Sequence, residues 1–177
     1  MVKQQRMTTK QLTLSALLLA VITVCAQIQI PLVVPINMGL FAVCLTAGLL
    51  GKKYGVLTVG GYILAGALGL PVFAGFMGGP AALVGKTGGY ILGYLLTAWL
   101  VGWGVEKYGH DFKNLWFFMF LGTLSCYFGG TVWFVFLTGL DLKAALLYCV
   151  VPFIIGDLVK ITLAVTVVKK MDEILLK

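Results

Sequence analysis

Four long stretches of the sequence contain no charged residue, and they constrain the fold more than any other feature. They cover residues 11–51, 54–85, 87–105 and 114–140. A helix needs about 20 apolar residues to cross the hydrocarbon core of a bilayer. Charged residues make up only 11% of the chain, against about 25% in a soluble domain. The sequence therefore predicts a polytopic membrane protein with nearly the whole chain inside the bilayer.

The apolar stretches are continuous, whereas the strands of a membrane β-barrel alternate between apolar and polar residues. We therefore predict an all-α fold, a bundle of six transmembrane helices that forms a single domain over residues 1–177. The longest polar stretch, residues 106–114, leaves no room for a soluble catalytic domain. Prolines, glycines and charges place the six spans at residues 12–30, 36–50, 54–70, 87–105, 115–137 and 144–168.

The distribution of basic residues predicts the orientation. With the amino terminus inside, the outer ends of the spans carry only Lys86 and Lys143. The inner ends carry Lys3, Arg6, Lys10, Lys52, Lys53, Lys107, Lys113, Lys169, Lys170 and Lys177. Cytoplasmic loops are enriched in Lys and Arg, so both termini are predicted to be cytoplasmic. This bias also accounts for the net charge of +7, and no nucleic-acid partner is expected.

Metal sites, disulfides and nucleotide binding are not expected from the motifs. The four cysteines lie inside apolar runs without a CxxC pair, and His110 is the only histidine, so neither a metal site nor a disulfide framework is indicated. The segment GPAALVGKTGG at residues 79–89 resembles a P-loop, but Pro80 stands where the pattern requires its first glycine and no strand is predicted before it. The chain itself is therefore not expected to bind ATP.

An acid and a base within the last predicted span give the clearest functional signal. Asp157 and Lys160 are three residues apart and so share one helix face. Ionisable groups inside a membrane cost several kcal/mol unless they are paired or wet, and they are functional candidates by default. A self-neutralising structural pair is the alternative.

Three further regions carry candidate residues with open alternatives. Lys86 and Thr87 precede Gly88, Gly89 and Tyr90 at a predicted helix start. They form either an anion site or an interfacial lysine that reaches water. The apolar but Pro- and Gly-rich residues 71–85 are predicted to be a loop folded back over a site. Gln27, Gln29 and Asn37 either hydrogen-bond a ligand or stabilise helix packing. Phe73 either forms part of a ligand wall or packs in the core or the lipid-facing belt.

At this point the motifs resemble a known family. The runs AQIQIPLVVP at residues 26–35 and GLPVFAGFMGGPAALVGKTGGY at residues 69–90, together with the Asp157–Lys160 pair, resemble the BioY family. Its members are the biotin-binding substrate subunits (S components) of energy-coupling-factor (ECF) transporters. The resemblance covers essentially the whole chain.

The resemblance implies a subunit of a prokaryotic plasma-membrane importer that captures biotin outside the cell. Its expected partners are a transmembrane coupling subunit and two cytoplasmic ATPases. ATP is then used only by those partners, and no cofactor or metal is expected in this chain. Ala16 and Ala20, one helical turn apart, resemble the surface that docks on the coupling subunit.

The residues predicted to bind the substrate are Asp157, Lys160, Lys86, Thr87, Gly88, Gly89, Tyr90, Gln27 and Phe73. No catalytic residue is assigned, because the chain is not expected to be an enzyme. Two other interpretations remain open. One is an integral membrane enzyme that acts on a small acid or a lipid with Asp157 as its base, and the other is a biotin facilitator that works alone.

Overall fold

The structure, a computed structural model, describes residues 8–32 and 34–175, except for the side chain of Leu175. Lys3, Arg6 and Lys177, which contribute to the predicted orientation, lie outside these residues. The described part of the chain contains seven α-helices: α1 Thr9–Gln27, α2 Gly39–Ala67, α3 Pro80–Val84, α4 Gly88–Tyr108, α5 Phe112–Thr138, α6 Leu142–Cys149 and α7 Ile154–Leu175. Short 3-10 turns cover Ala74–Phe76 and Val151–Phe153.

Several of these helices are able to span a membrane. Within the described residues, five segments are long and apolar enough: Thr9–Gln27, Gly39–Ala67, Gly88–Tyr108, Phe112–Thr138 and Leu142–Ile174. The prediction of a mostly helical chain with several membrane spans is therefore confirmed. Most of the second and third predicted spans falls within α2.

Gly51 interrupts α2 in its middle, with φ 71° and ψ −173°. This left-handed region is readily accessible only to glycine. A Cβ atom built on Gly55 would lie 3.0 Å from the Cα of Ala47, whereas residues eight apart in a straight helix are separated by about 12 Å. The chain therefore folds back at Gly51, and the two halves of α2 pack against each other. Glu106 Oε1 accepts a hydrogen bond from Lys52 N at 2.8 Å and so caps the second half.

The last predicted span, residues 144–168, is wrong as a single helix. α6 ends at Cys149 and α7 begins at Ile154, with the 3-10 turn Val151–Phe153 between them. Pro152 explains the break, because proline lacks an N–H group and its ring clashes with the carbonyl group four residues earlier. Asp157 consequently lies in the first turn of α7 rather than deep within a helix, and the helix dipole favours a negative charge there.

The first span also differs from its prediction. α1 begins at Thr9 because Thr8 and Gln11 form a capping box. It ends at Gln27 because the chain then forms strand β1, Gln29–Ile30, which pairs antiparallel with strand β2, Ile36–Asn37. This two-stranded sheet is a small departure from the all-α prediction. The predicted loop at residues 71–85 likewise contains α3 and a 3-10 turn.

The core lies among α2, α4, α5 and α7, whose buried apolar side chains form one cluster. Fully buried examples include Val43, Val59, Val101, Met119 and Val165. In contrast, α1 buries only Leu18, Ile22 and Ala26. It therefore lies at the edge of the bundle, with most of its surface open.

Candidate binding cavity

A cavity of about 680 Å³, its open mouth included, lies between α2, α4, α5 and α7. Its wall is mainly apolar and aromatic, and only a few polar side chains converge on it, as in many small-molecule sites. The lining residues are Val34, Pro35, Asn37, Leu40, Tyr62, Phe73, Ala74, Met77, Thr87, Tyr90, Ile91, Tyr94, Cys126, Tyr127, Phe153, Asp157 and Lys160.

A buried ion pair forms the polar centre of this cavity. Lys160 Nζ lies 2.7 Å from Asp157 Oδ1, and the two residues are only 9% and 4% exposed. Lys160 Nζ also donates to the backbone oxygen of Asn37 at 2.8 Å, and the hydroxyl of Tyr127 donates to Asp157 Oδ2. Each charged group is therefore paired and hydrogen-bonded, as burial of a charge requires.

Asn37 is fixed by the end of the small sheet and the start of α2. Its Oδ1 accepts hydrogen bonds from Gly39 N at 2.8 Å and from the Tyr94 hydroxyl at 3.4 Å. The carbonyl oxygen of Asn37 is thereby held towards Lys160. This arrangement joins β2, α2, α4 and α7 at one point beside the cavity.

One side of the cavity is closed by residues 73–77, which we call the cap segment. Phe73 is 1% exposed, and its ring packs edge-on to Tyr62 with 5.5 Å between ring centroids. The ring also lies against the backbone of Gly66, where any side chain would overlap it. Phe73, Ala74 and Met77 face the cavity, so the cap segment is part of its wall.

The structure brings five of the predicted substrate-binding residues to the cavity wall: Asp157, Lys160, Thr87, Tyr90 and Phe73. Gln27 is not part of the wall, and its side chain instead bonds the backbone of the cap segment. Gly88 and Gly89 are buried in helix contacts, where Cβ atoms would overlap Leu83 and Trp133 respectively. They allow close packing and do not line the cavity.

Lys86 is exposed and precedes α4 by two residues. It is not among the residues of the cavity wall, although its neighbour Thr87 is. Trp133 Nε1 donates to Gly85 O at 3.0 Å, which fixes the backbone just before Lys86. Both the anion site and the interfacial lysine remain compatible with this position.

Tyr127, Tyr94 and Tyr62 belong to the cavity wall but were not identified from the sequence. Tyr127 is the most important of them, because it contacts Asp157 directly. A buried hydroxyl requires a hydrogen-bond partner, so a tyrosine inside the charge-free run at residues 114–140 was a usable signal. The sequence alone does not show which of the seven tyrosines has an acid beside it.

Ala16 and Ala20, the predicted docking residues, are both exposed on α1. They lie on the side of the helix opposite Leu18, Ile22 and Ala26, which face the bundle. Among the described residues there is no group of three or more His, Cys, Asp or Glu side chains that could hold a metal ion.

The sequence of this chain is similar to known proteins over nearly its whole length. The sequence model of the BioY family matches residues 1–177. The chain belongs to the BioY family. The biotin transporter BioY of Thermotoga maritima is 37% identical over 168 residues, which cover 93% of this chain and 97% of that protein. The biotin transporter BioY of Lactococcus lactis is 32% identical over 173 residues, with 93% and 91% covered.

A solved structure agrees with this BioY assignment. The crystal structure of the S-component for biotin from an ECF-type ABC transporter superposes with a TM-score of 0.88. The two chains are 31% identical, and the match covers 95% of each. The family resemblance predicted from the motifs is therefore confirmed.

Proposed function

We propose that this chain is the biotin-binding S component of an ECF-type importer. The observation that carries the proposal is the buried Asp157–Lys160 pair, which faces a mostly apolar cavity in a chain that matches a biotin S-component over 95% of its length. Its family and relatives are transporters, so the chain is not an enzyme.

The chemistry of the cavity suits biotin. The ureido ring of biotin offers two N–H donors and one carbonyl acceptor, while its thioether bicycle is apolar. Asp157 is able to accept from the N–H groups, and Lys160 is able to donate to a ligand oxygen. The aromatic wall, including Tyr90, Tyr94 and Phe153, can enclose the ring system. Exclusion of water strengthens each polar contact.

The valerate carboxylate of biotin requires a separate cation. Asp157 and Lys160 already neutralise each other at 2.7 Å, so the polar centre of the cavity offers no net positive charge. We assign the carboxylate to the outer end of α4, where Lys86 and the helix amino terminus are both electropositive. This assignment is supported by Thr87, which lines the cavity next to Lys86.

Six membrane crossings fit this function, with both termini in the cytoplasm of a prokaryotic cell. The fold-back at Gly51 supports separate crossings for the two halves of α2. Lys52 and Lys53 lie at that turn, and the Glu106–Lys52 contact brings the end of α4 to the same side of the bundle. Basic residues at this side favour a cytoplasmic location.

The partners belong to the same proposal. The exposed Ala16–Ala20 face of α1 permits close approach of a helix from the coupling subunit. Two cytoplasmic ATPases would supply the energy, and this chain would need no cofactor of its own.

Titration of the purified chain with biotin tests the proposal. Four tryptophans make intrinsic fluorescence a practical readout. We expect saturable binding with one site per chain and recovery of unchanged biotin after release. Absence of binding would contradict the proposal, and uptake that is equally fast without coupling subunits would contradict the partner assignment.

A further inference from the structure

The side chain of Gln27, the last residue of α1, binds the cap segment through both ends of its amide group. Nε2 donates to Phe73 O at 3.1 Å and to Val72 O at 3.3 Å. Oε1 accepts from Phe76 N at 2.9 Å. Nε2 also donates within α1 to Thr23 O at 3.3 Å. One side chain therefore connects α1 to both sides of the turn at residues 73–77.

The cap segment lies between two glycines with positive φ. Gly69 has φ 100° and Gly79 has φ 88°, and a Cβ built on either would meet no atom within 4 Å. Glycine adopts such positive φ values without steric cost. The N–H groups of both glycines donate to Gly66 O, at 3.0 and 2.7 Å, so the two ends of this loop are anchored. Ala74 and Met77 form the part of the cavity wall between these anchors.

The tip of the cap segment is strained. Phe76 has φ 56° and is the non-glycine residue with a positive φ in the described part of the chain. A bulky side chain disfavours this region, and such strain persists only where surrounding contacts hold the backbone in place. The hydrogen bond from Phe76 N to Gln27 Oε1 is such a contact. Phe76 itself is 71% exposed, so burial of its ring does not fix it.

We infer that Gln27 is a positioning residue that latches the cap segment to α1 and thereby sets how fast ligand enters and leaves the cavity. This inference rests on the proposed function for the identity of the ligand, biotin. It replaces a direct contact of Gln27 with biotin, because the two N–H bonds of Nε2 are shared among three backbone carbonyl oxygens and Oε1 accepts from Phe76 N. With the latch broken, the strained tip relaxes and the cap segment opens more often.

A latch and a ligand contact have different kinetic consequences. Loss of a latch accelerates entry and exit together, so the dissociation constant changes less than either rate. Loss of a ligand contact accelerates exit alone, so the dissociation constant rises in proportion. The ratio of the two rate constants therefore distinguishes them.

The test compares Gln27→Met with Val24→Met in the purified full-length chain. Methionine keeps the length of the side chain but makes none of the bonds to residues 72, 73 and 76. Val24→Met is the control, because Val24 is 63% exposed on the same helix and is not among the residues bonded to the cap segment. Stopped-flow fluorescence with biotin gives both rate constants. Hydrogen exchange measured by mass spectrometry, without biotin, reports opening of residues 73–77 directly.

For Gln27→Met we expect exchange in the cap segment to accelerate by about tenfold, the effect of losing one or two net hydrogen bonds. Both biotin rate constants should rise together, and Val24→Met should change neither measurement. Unchanged exchange would overturn the inference, as would faster dissociation without faster association. If Gln27→Met does not fold, Gln27→Glu, which retains the acceptor for Phe76 N, replaces it in the same comparison. If the unmodified chain binds no biotin, the proposed function fails, while the exchange measurement still decides the latch.

Discussion

The hydroxyl of Tyr127 on α5 donates a hydrogen bond to Asp157 Oδ2 on α7, while Lys160 occupies the other carboxylate oxygen. The carboxylate is therefore held from two sides before any ligand arrives. Each of its oxygens can still accept a further hydrogen bond. The orientation in which Asp157 meets a ligand thus depends on a tyrosine 30 residues away in the sequence.

We expect Tyr127→Phe to weaken biotin binding by about tenfold, or about 1.4 kcal/mol. The substitution removes a hydrogen bond to a charged group and frees Asp157 to rotate away from its ligand-binding orientation. Fluorescence titration measures the effect. Tyr148→Phe is the control, because Tyr148 is 54% exposed on α6. This variant should bind biotin with the affinity of the unmodified chain. If Tyr127→Phe binds biotin as tightly as Tyr148→Phe and the unmodified chain, Tyr127 does not contribute to biotin binding.

Much of this site could be predicted from residue type and spacing alone. Asp157 and Lys160 are conspicuous because charges are rare in apolar helices, and a spacing of three predicts their contact. Tyr127 and the backbone oxygen of Asn37 could not be assigned in the same way. Their contacts depend on how α5 and β2 pack against α7, and a single sequence contains no signal for that packing.

Substitution of Gly89 distinguishes a role of this residue in helix packing from a role in ligand binding. A Cβ on Gly89 would overlap Trp133 and lie 3.0 Å from Gly129 O, so we expect Gly89→Ala to lower the free energy of unfolding by about 1–3 kcal/mol. Thermal unfolding in detergent measures this change. Gly129→Ala is the matched control, since its Cβ would meet no atom within 4 Å and alanine favours the helix. Weaker biotin binding by Gly89→Ala at unchanged stability would instead assign Gly89 to the ligand site.

Lys86 tests the assignment of the biotin carboxylate. We expect Lys86→Ala to weaken binding of biotin more than binding of biotin amide, which lacks the negative charge. Because Lys86 is exposed, the difference should be modest, about threefold, as for other solvent-screened charge pairs. Isothermal titration with the two ligands provides the comparison. Equal losses for both ligands would assign Lys86 to the membrane interface alone.

Substitutions on the Ala16–Ala20 face test whether this face docks on the coupling subunit. We expect the double substitution Ala16→Trp and Ala20→Trp to prevent assembly with the coupling subunit, because the indole rings hold a neighbouring helix away. Biotin binding to the isolated chain should be unaffected, since neither residue lines the cavity. Co-purification measures assembly, and Val132→Trp on the exposed face of α5 is the control. Loss of biotin binding together with assembly would contradict the docking assignment.

Pro152 and Gln27 show why part of the structure could not be predicted from the sequence. Pro152 breaks the last span, but an apolar run of suitable length predicts one continuous helix unless the proline is given more weight. Gln27 was predicted either to contact the ligand or to stabilise helix packing, because it flanks the first outer turn. Its actual partners are backbone groups of residues 72, 73 and 76, more than 40 residues away, which only the folded chain brings together.

The buried Asp157–Lys160 pair is assigned to the biotin site. Biotin titration of Asp157→Asn beside Glu173→Gln, an exposed acid on the same helix, tests this assignment. Asparagine keeps the size of Asp157 but loses the charged acceptor, so we expect at least about tenfold weaker binding, or about 1.4 kcal/mol, and unchanged binding by Glu173→Gln. If a folded Asp157→Asn variant binds biotin as tightly as the unmodified chain, the pair is not the biotin site.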